Sequence, residues 1–328
     1  MSQAINARNA RGECVVSTAD AQILAAYRYC REVARREAKN FYWAFRVLPR
    51  PKSDAMCAVY AFMRRADDIA DDESKPMEAR RDEMAAWLEA WRASRVSAAN
   101  SSSPRSNDDP IFRALAHTQQ RFNIPDDLLE ELVAGTTMDL KPCSLDSGAV
   151  QTYATFDDLY RYCYLVASVV GLVCIRIFGY TDPRAEKFAE ETGVAFQLTN
   201  ILRDVQEDIE RNRVYLPLDL LDEFGESVDE LRSLAAGRAM TERERAMLAT
   251  LAIRAEKYYR SAHKLLPLLD RDSRAAMWVL ATIYHRLLSR IAVRRMEVFR
   301  ERVALSTAEK LAVLLRGATM AAWNRMAG

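Results

Sequence analysis

Apolar residues recur every three or four positions over long stretches of the chain, the period of an amphipathic helix, and strictly alternating runs are rare. The period is kept over about 18–38, 53–73, 77–95, 110–139 with a break at Pro125, 155–180, 183–210, and in long segments from 241 onward. This pattern predicts an all-α protein. With only ten Gly and ten Pro, the chain has few residues that would interrupt helices. The stretch "SAANSSSPRSNDDP", 97–110, reads as an exposed loop and is too short for a convincing domain linker. The most apolar run, Leu165 to Ile175, stops at Arg176, well short of the roughly 20 residues that span a bilayer, and predicts a buried core helix. The final segment "TAEKLAVLLRGATMAAWNRM" is amphipathic and is expected to pack on the body; contact with a membrane surface is the alternative.

Length and charge narrow the possibilities only slightly. At 328 residues the chain has room for one large domain or two ordinary ones. A net charge of +1 gives no reason to expect a polyanion, so nucleic acid is not an expected partner. Six cysteines (Cys14, Cys30, Cys57, Cys143, Cys163, Cys174) are scattered without CxxC pairs and read as buried free thiols in a reducing compartment. Residues 1–17 form a polar leader with no apolar core of signal-peptide length, and the cytosol is the expected location. Neither an internal repeat nor a Gly-rich phosphate loop is present, which disfavours a nucleotide-binding fold and leaves use of NADPH open.

The candidate chemistry lies in two acidic helices. In "FMRRADDIADDE", residues 62–73, five acidic side chains fall between Asp67 and Glu73. On a helix, Tyr60, Arg64, Asp67 and Asp71 share an arc of roughly 60°, with Asp68 beside it and Asp72 and Glu73 turned away. Acid near a helix C-terminus opposes the macrodipole and calls for a counter-charge. In "QLTNILRDVQEDIERNRVYLP", 197–217, Gln197, Asn200, Asp204 and Asp208 again lie on one face, of a helix whose Leu198, Ile201 and Leu202 look core-facing. Unpaired carboxylates there would be costly to bury. Two such faces across a cavity would offer hard oxygen ligands to divalent cations. Magnesium suits them, since it needs few carboxylates and completes its shell with water and phosphate oxygens, which predicts a diphosphate substrate. Lys39, Arg64, Arg203, Arg211 and Arg213 are candidates to neutralise the remaining charge. Between the two motifs, "LYRYCYLVASVVGLVCIRIFG", 159–179, carries Tyr160, Tyr162 and Tyr164 and small residues at Ala167, Ser168 and Gly171. It reads as the wall of a channel for a hydrocarbon tail, with tight helix packing as the alternative.

Together these residues resemble the squalene and phytoene synthase family over nearly the whole chain, from about Tyr27 to about Arg290. "AKNFYWAFRVLP" (38–49) looks like the family's opening substrate-binding segment, "AVYAFMRRADDIAD" (58–71) like its first aspartate motif, and "YCYLVASVVG" (162–171) like its central helix. "QLTNILRDVQEDIERNRVYLP" is similar to the second aspartate motif with the lid that follows. The resemblance implies one isoprenoid synthase domain over 18–328 and two or three magnesium ions held by Asp67, Asp71, Asn200, Asp204 and Asp208, with Gln197 assisting. It places Lys39, Asn40, Phe41, Arg64, Arg203, Arg213 and Tyr215 at substrate-binding or lid positions, and Tyr60 and Tyr162 near the reacting centre. "AKNF" departs from the family's usual "SKSF": Ala38 lacks one hydroxyl, while Asn40 can still donate a hydrogen bond. The implied reaction joins two prenyl diphosphates head to head, with farnesyl diphosphate and a presqualene diphosphate product favoured by likeness to bacterial presqualene diphosphate synthases. Phytoene synthesis from geranylgeranyl diphosphate and, in another reaction class, a class I terpene cyclase are the alternatives. Peripheral membrane contact for product release is a further expectation; oligomeric state is not legible.

Overall fold

The structure is a computed structural model and describes residues 18–38, 40–72, 74–99, 109–138 and 151–326. The expected leader, Lys39, Glu73, most of the 97–110 loop, Cys14 and Cys143 lie outside these residues. Among the described residues there is no β-strand, only two isolated bridges, and fourteen α-helices carry the fold. In order they are α1 (Thr18–Glu37), α2 (Asn40–Val47), α3 (Arg50–Ala70), α4 (Met77–Ala99), α5 (Pro110–Phe122), α6 (Asp126–Thr136), α7 (Phe156–Cys163) and α8 (Val169–Phe178). There follow α9 (Arg184–Glu210), α10 (Leu218–Glu223), α11 (Val228–Ala235), α12 (Glu242–Leu265), α13 (Arg271–Val293) and α14 (Thr307–Met326).

Local chemistry explains several boundaries. Asp109 caps α5 by accepting the Ile111 N–H at 2.7 Å, and Pro110 occupies the first turn, where a missing N–H costs nothing. Thr155 with Asp158, and Thr241 with Glu244, form reciprocal capping boxes at the starts of α7 and α12. Asn123 ends α5 in the left-handed conformation that a short polar side chain tolerates.

Two features depart from the periodicity. The short helices α2, α10 and α11 are too brief to carry a sustained apolar stripe. The segment expected as one helix over 155–180 contains a π-helical turn, Tyr164–Ser168, between α7 and α8. Two glycines let neighbours close on that wide turn: a Cβ at Gly135 would lie 2.3 Å from the Leu165 carbonyl oxygen, and one at Gly193 2.5 Å from Ser168 Cα. Ser168 Oγ also donates to the Glu190 carbonyl at 2.7 Å, pinning the turn to α9. The path from Phe156 to Phe178 is, among the described residues, the one helix long and apolar enough to cross a membrane. It packs against α6 and α9; Val169, Val173 and Ile177 are fully buried, while Val166, Ala167, Val170, Gly171 and Cys174 are only partly buried and line a cavity.

The core forms two main clusters. One gathers α1, α3, α5, α6 and α8. The other gathers α7, α9, α12 and α13 with the chain after Arg213. Phe196 packs against both. On α14, Val313 and Ala321 face inward, Gly317 lies against Val279, and Leu311, Leu315 and Trp323 are exposed.

Candidate active site

A cavity of about 270 Å³ lies between α3, the π-turn with α8, α9 and α13, closed on its remaining sides by α2 and the end of α12. Helix α3 contributes Met56, Val59, Tyr60, Met63, Arg64 and Asp67, so its lining changes from apolar to charged toward the C-terminus. Along α9 the same gradient runs from Ala189 through Thr192, Gly193 and Phe196 to Gln197 and Asn200. Both helices therefore bring their polar C-terminal parts to one rim and their apolar N-terminal parts to one floor. The two expected ligand faces do meet, at Asp67 on one side and Gln197 and Asn200 on the other.

Negative charge gathers toward the rim, although of the four aspartates Asp67, Asp71, Asp204 and Asp208 the first alone lines the cavity, and Asp208 lines a separate small crevice. Asp71 lies one turn beyond Asp67, its N–H donating to the Asp67 carbonyl at 2.8 Å, and it is exposed at the C-cap of α3. Asp208 occupies the last turn of α9. Carboxylates at two helix C-termini add to the partial negative charge already there. Burial, reinforced by the Asp204 charge, pushes the Asp208 carboxyl up to about 7. Asn200 Nδ2 donates to Gln197 Oε1 at 3.3 Å, while Asn200 Oδ1 is buried without a hydrogen-bond partner. An orphaned amide oxygen, a crowded carboxylate and two negative helix ends fit a divalent cation. Among the described residues no three His, Cys, Asp or Glu side chains converge on one point, and magnesium needs no such cage, because phosphate and water complete its shell. Asp67, Asp71, Asn200 and Asp208 are the groups that would hold it.

Asp204 stands differently from the expectation of an open metal ligand. Arg203 donates to both of its oxygens, through Nε at 2.7 Å and through a shorter Nη2 contact, and Arg302 Nε donates at 2.8 Å. Burial raises its pKa, but the two arginines outweigh burial and hold it below the ordinary carboxylate range. A metal at Asp204 has to share it with two guanidinium groups. Arg64 pairs with Asp68 at 2.7 Å, while its buried Nε has no partner and the side chain lines the cavity.

Tyr162 and Tyr215 correct the sequence reading. Both are buried in the second core cluster, stacked on each other with ring centroids 4.9 Å apart and both against Tyr153, and neither lines the cavity. Tyr160 and Tyr164 likewise point elsewhere, their hydroxyls donating to Glu190 and Glu131. For the tyrosines of 160–164 the π-turn is the physical reason: an extra residue in one turn changes which side chains follow along the cavity face. That face is Val166, Ala167, Val170, Gly171 and Cys174. Tyr215 instead shares a small crevice with Asp208 and Arg213. Lys39 and the side chain of Asn40 lie outside the described residues; Phe41 lines the cavity.

Part of the aromatic lining comes from residues that no sequence motif marks. Tyr284 of α13 stacks on Phe196 at 4.4 Å and approaches Phe41 at 6.1 Å, and Phe45 meets Tyr60 edge-on at 6.4 Å. Beyond the Phe41–Tyr284 pair, a second cavity of about 190 Å³ is lined by Arg203, Arg302 and Lys310 with Ile283, Leu287 and Leu305. Arg302 lies among the many arginines of 290–302, where composition alone does not single it out.

Known proteins resemble this chain over most of its length. The model of the squalene/phytoene synthase family matches residues 34–309. A phytoene synthase of Mycobacterium tuberculosis is 37% identical over 292 residues, covering 89% of this chain and 90% of its own length. A 15-cis-phytoene synthase of Synechococcus elongatus is 32% identical over 310 residues, covering 91% and 94%. Among solved structures, a dehydrosqualene synthase in complex with ligand superposes with a TM-score of 0.73 at 27% identity, covering 92% of this chain and 98% of that one. A squalene synthase from Alicyclobacillus acidocaldarius superposes with a TM-score of 0.71 at 25% identity, covering 84% and 96%. With a graded cavity reached by the first motif at Asp67 and by the second at Gln197 and Asn200, and with relatives aligned along almost its full length, the chain belongs to the squalene/phytoene synthase family.

Proposed function

We propose that this head-to-head prenyltransferase joins two molecules of farnesyl diphosphate to presqualene diphosphate, using magnesium at the rim formed by α3 and α9. The observation that carries the choice of chain length is the depth of the cavity. Its lining on α3 runs from Met56 to Asp67, which at 1.5 Å per residue is about 16 Å. An extended carbon chain advances about 1.2 Å per bond, so a farnesyl tail needs about 14 Å and a geranylgeranyl tail about 19 Å. A tail of about the first length matches that span, and one of the second length is longer than it, which favours the shorter substrate.

In the reaction, the C1–O bond of one substrate breaks and its electron pair leaves with diphosphate. The C2=C3 double bond of the second substrate attacks the resulting allylic cation at C1. Loss of a proton from that C1 closes the cyclopropane and neutralises the charge. Bound magnesium would supply Lewis-acid stabilisation of the departing diphosphate. Arg64 stands at the rim to bind the anion. The aromatic rings of Phe41, Phe45, Phe196, Tyr60 and Tyr284 line the cavity, where π-systems can stabilise an allylic cation without bonding to it.

The wall also avoids trapping the cation. Burial raises the pKa of the Tyr60 and Tyr284 phenols and pushes the Cys174 thiol up to about 12, so these lining groups stay protonated and weakly nucleophilic. With no carboxylate in the apolar part of the lining, the departing diphosphate is the base that takes the proton.

Phytoene synthesis is the second reading, favoured by the phytoene synthase relatives at 32–37% identity. Incubation of the protein and magnesium with each diphosphate separately decides between them. A C30 product from farnesyl diphosphate, formed much faster than a C40 product from geranylgeranyl diphosphate, is expected; the reverse preference overturns the choice of substrate.

A further inference from the structure

The floor of the cavity rests on a polar latch. Lys52 Nζ, on the first turn of α3, lies 2.7 Å from the Phe178 carbonyl at the end of α8. The same ammonium lies 3.0 Å from Asp270 Oδ2, 2.7 Å from Asp272 Oδ1 and 3.0 Å from Ser273 Oγ at the start of α13. Ser273 Oγ donates to the Phe178 carbonyl at 2.8 Å and is fully buried. Gly179, at φ +79°, ends α8 in a conformation that favours glycine, and a Cβ there would lie 2.0 Å from the Asp270 carboxylate. The Asp270 N–H donates to the Gly179 carbonyl at 2.9 Å. One charged side chain thus joins the ends of three helices.

Each of those helices sends a side chain into the cavity at or just above the latch. Phe178 accepts the latch hydrogen bonds through its own carbonyl while its side chain lines the cavity. Met56 follows Lys52 by one helical turn, and Met277 follows Ser273 by one turn; both line the cavity. Ile175 and Leu265 complete the floor with hydrocarbon. Methionine and phenylalanine pack without directional bonds, and Met adapts readily to irregular space. Their positions are therefore set by the helix ends that carry them.

We propose that Lys52, with Ser273, is a specificity-determining positioning residue: by clamping the Phe178 carbonyl between α3 and α13 it holds the floor at the depth that admits a fifteen-carbon tail and excludes a twenty-carbon one. Lys52 itself touches no substrate. The proposal rests on the prenyl-chain reading of the cavity and adds that the selecting element lies beneath it.

The test uses unreactive thiolo analogues of farnesyl and geranylgeranyl diphosphate, titrated with magnesium by calorimetry into the full chain, alongside product analysis with the natural diphosphates. Lys52→Met keeps the hydrocarbon stem and removes the charge; Ser273→Ala removes one hydroxyl and covers the case in which Lys52→Met does not fold. The ratio of the two dissociation constants is expected to move toward the longer analogue by about tenfold, the scale on which apolar pockets discriminate small differences in chain length. A latch that only stabilised the fold would lower the melting temperature and weaken both analogues alike. An unchanged ratio in a variant that still melts cooperatively overturns the proposal. Wild-type protein that binds both analogues with the expected preference but yields no head-to-head product would overturn the proposed reaction and leave the latch standing.

Discussion

Asn200 turns its amide nitrogen to Gln197, 3.3 Å away, and keeps its buried Oδ1 without a hydrogen-bond partner beside the cavity. A buried acceptor left unsatisfied costs about 1–3 kcal/mol, which the fold recovers if a cation binds there. Asn200→Ala removes the oxygen without adding charge. Its activity is expected to fall roughly a hundredfold, in the range for loss of one preorganised electrostatic contact, with the magnesium concentration for half-maximal rate raised. Initial rates across a magnesium titration check both. A loss of rate with unchanged magnesium dependence would assign Asn200 another role.

Asp208 couples function against stability. Its carboxyl is raised to about 7 by burial and by Asp204. A carboxyl raised by folding stabilises the fold only while it holds its proton, so this contribution is lost as pH climbs from about 4 to about 7. Asp208→Asn cannot ionise. Without added magnesium, its melting temperature relative to wild type is expected to rise between about pH 5 and pH 8, by about 2 °C or more, while activity is abolished. Thermal melts across that range decide it.

Gly193→Ala tests the seating of the π-turn. The new Cβ would lie 2.5 Å from Ser168 Cα and 2.7 Å from Ser168 N. Backbone cannot swing aside as a side chain can, and a destabilisation of about 1–3 kcal/mol is expected from overpacking. The denaturant midpoint reads this directly, and activity should fall with it, since Val166 and Ala167 of the same turn line the cavity.

Tyr284 carries a ring face between Phe196 and Phe41. Tyr284→Phe keeps the face, and its rate is expected to stay within a few-fold of wild type. Tyr284→Leu keeps much of the apolar volume but loses the quadrupole, and a fall of about tenfold in kcat follows from the size of cation–π contacts in dry sites. Equal losses in the two variants would make the hydroxyl, and not the ring, the important group.

The helical architecture and the two acidic faces were legible because both rest on the 3.6-residue period. A face that carries Tyr60, Arg64 and Asp67 on α3, or Gln197 and Asn200 on α9, stays a face wherever the helix is placed. The period failed where the backbone left it. The π-turn at Tyr164–Ser168 directs Val166 and Ala167 to the cavity, while Tyr162, expected there from spacing and resemblance, stacks on Tyr215 in the neighbouring core. Tyr284, Arg302 and the Lys52 latch were hidden for another reason. Their partners lie far away in sequence, as with Arg302 and Asp204 or Lys52 and Asp272, and no local pattern announces a contact made only by tertiary packing.

The most direct test of head-to-head coupling at this site is the carbon connectivity of the product. Farnesyl diphosphate labelled with ¹³C at C1 is incubated with the protein and magnesium, and the product is read by NMR. The expected result is a C30 cyclopropylcarbinyl diphosphate in which the labelled C1 of one unit is bonded to both C2 and C3 of the other. A cyclised C15 product, or a chain joined from C1 to the distal C4 of a second unit, would contradict the account.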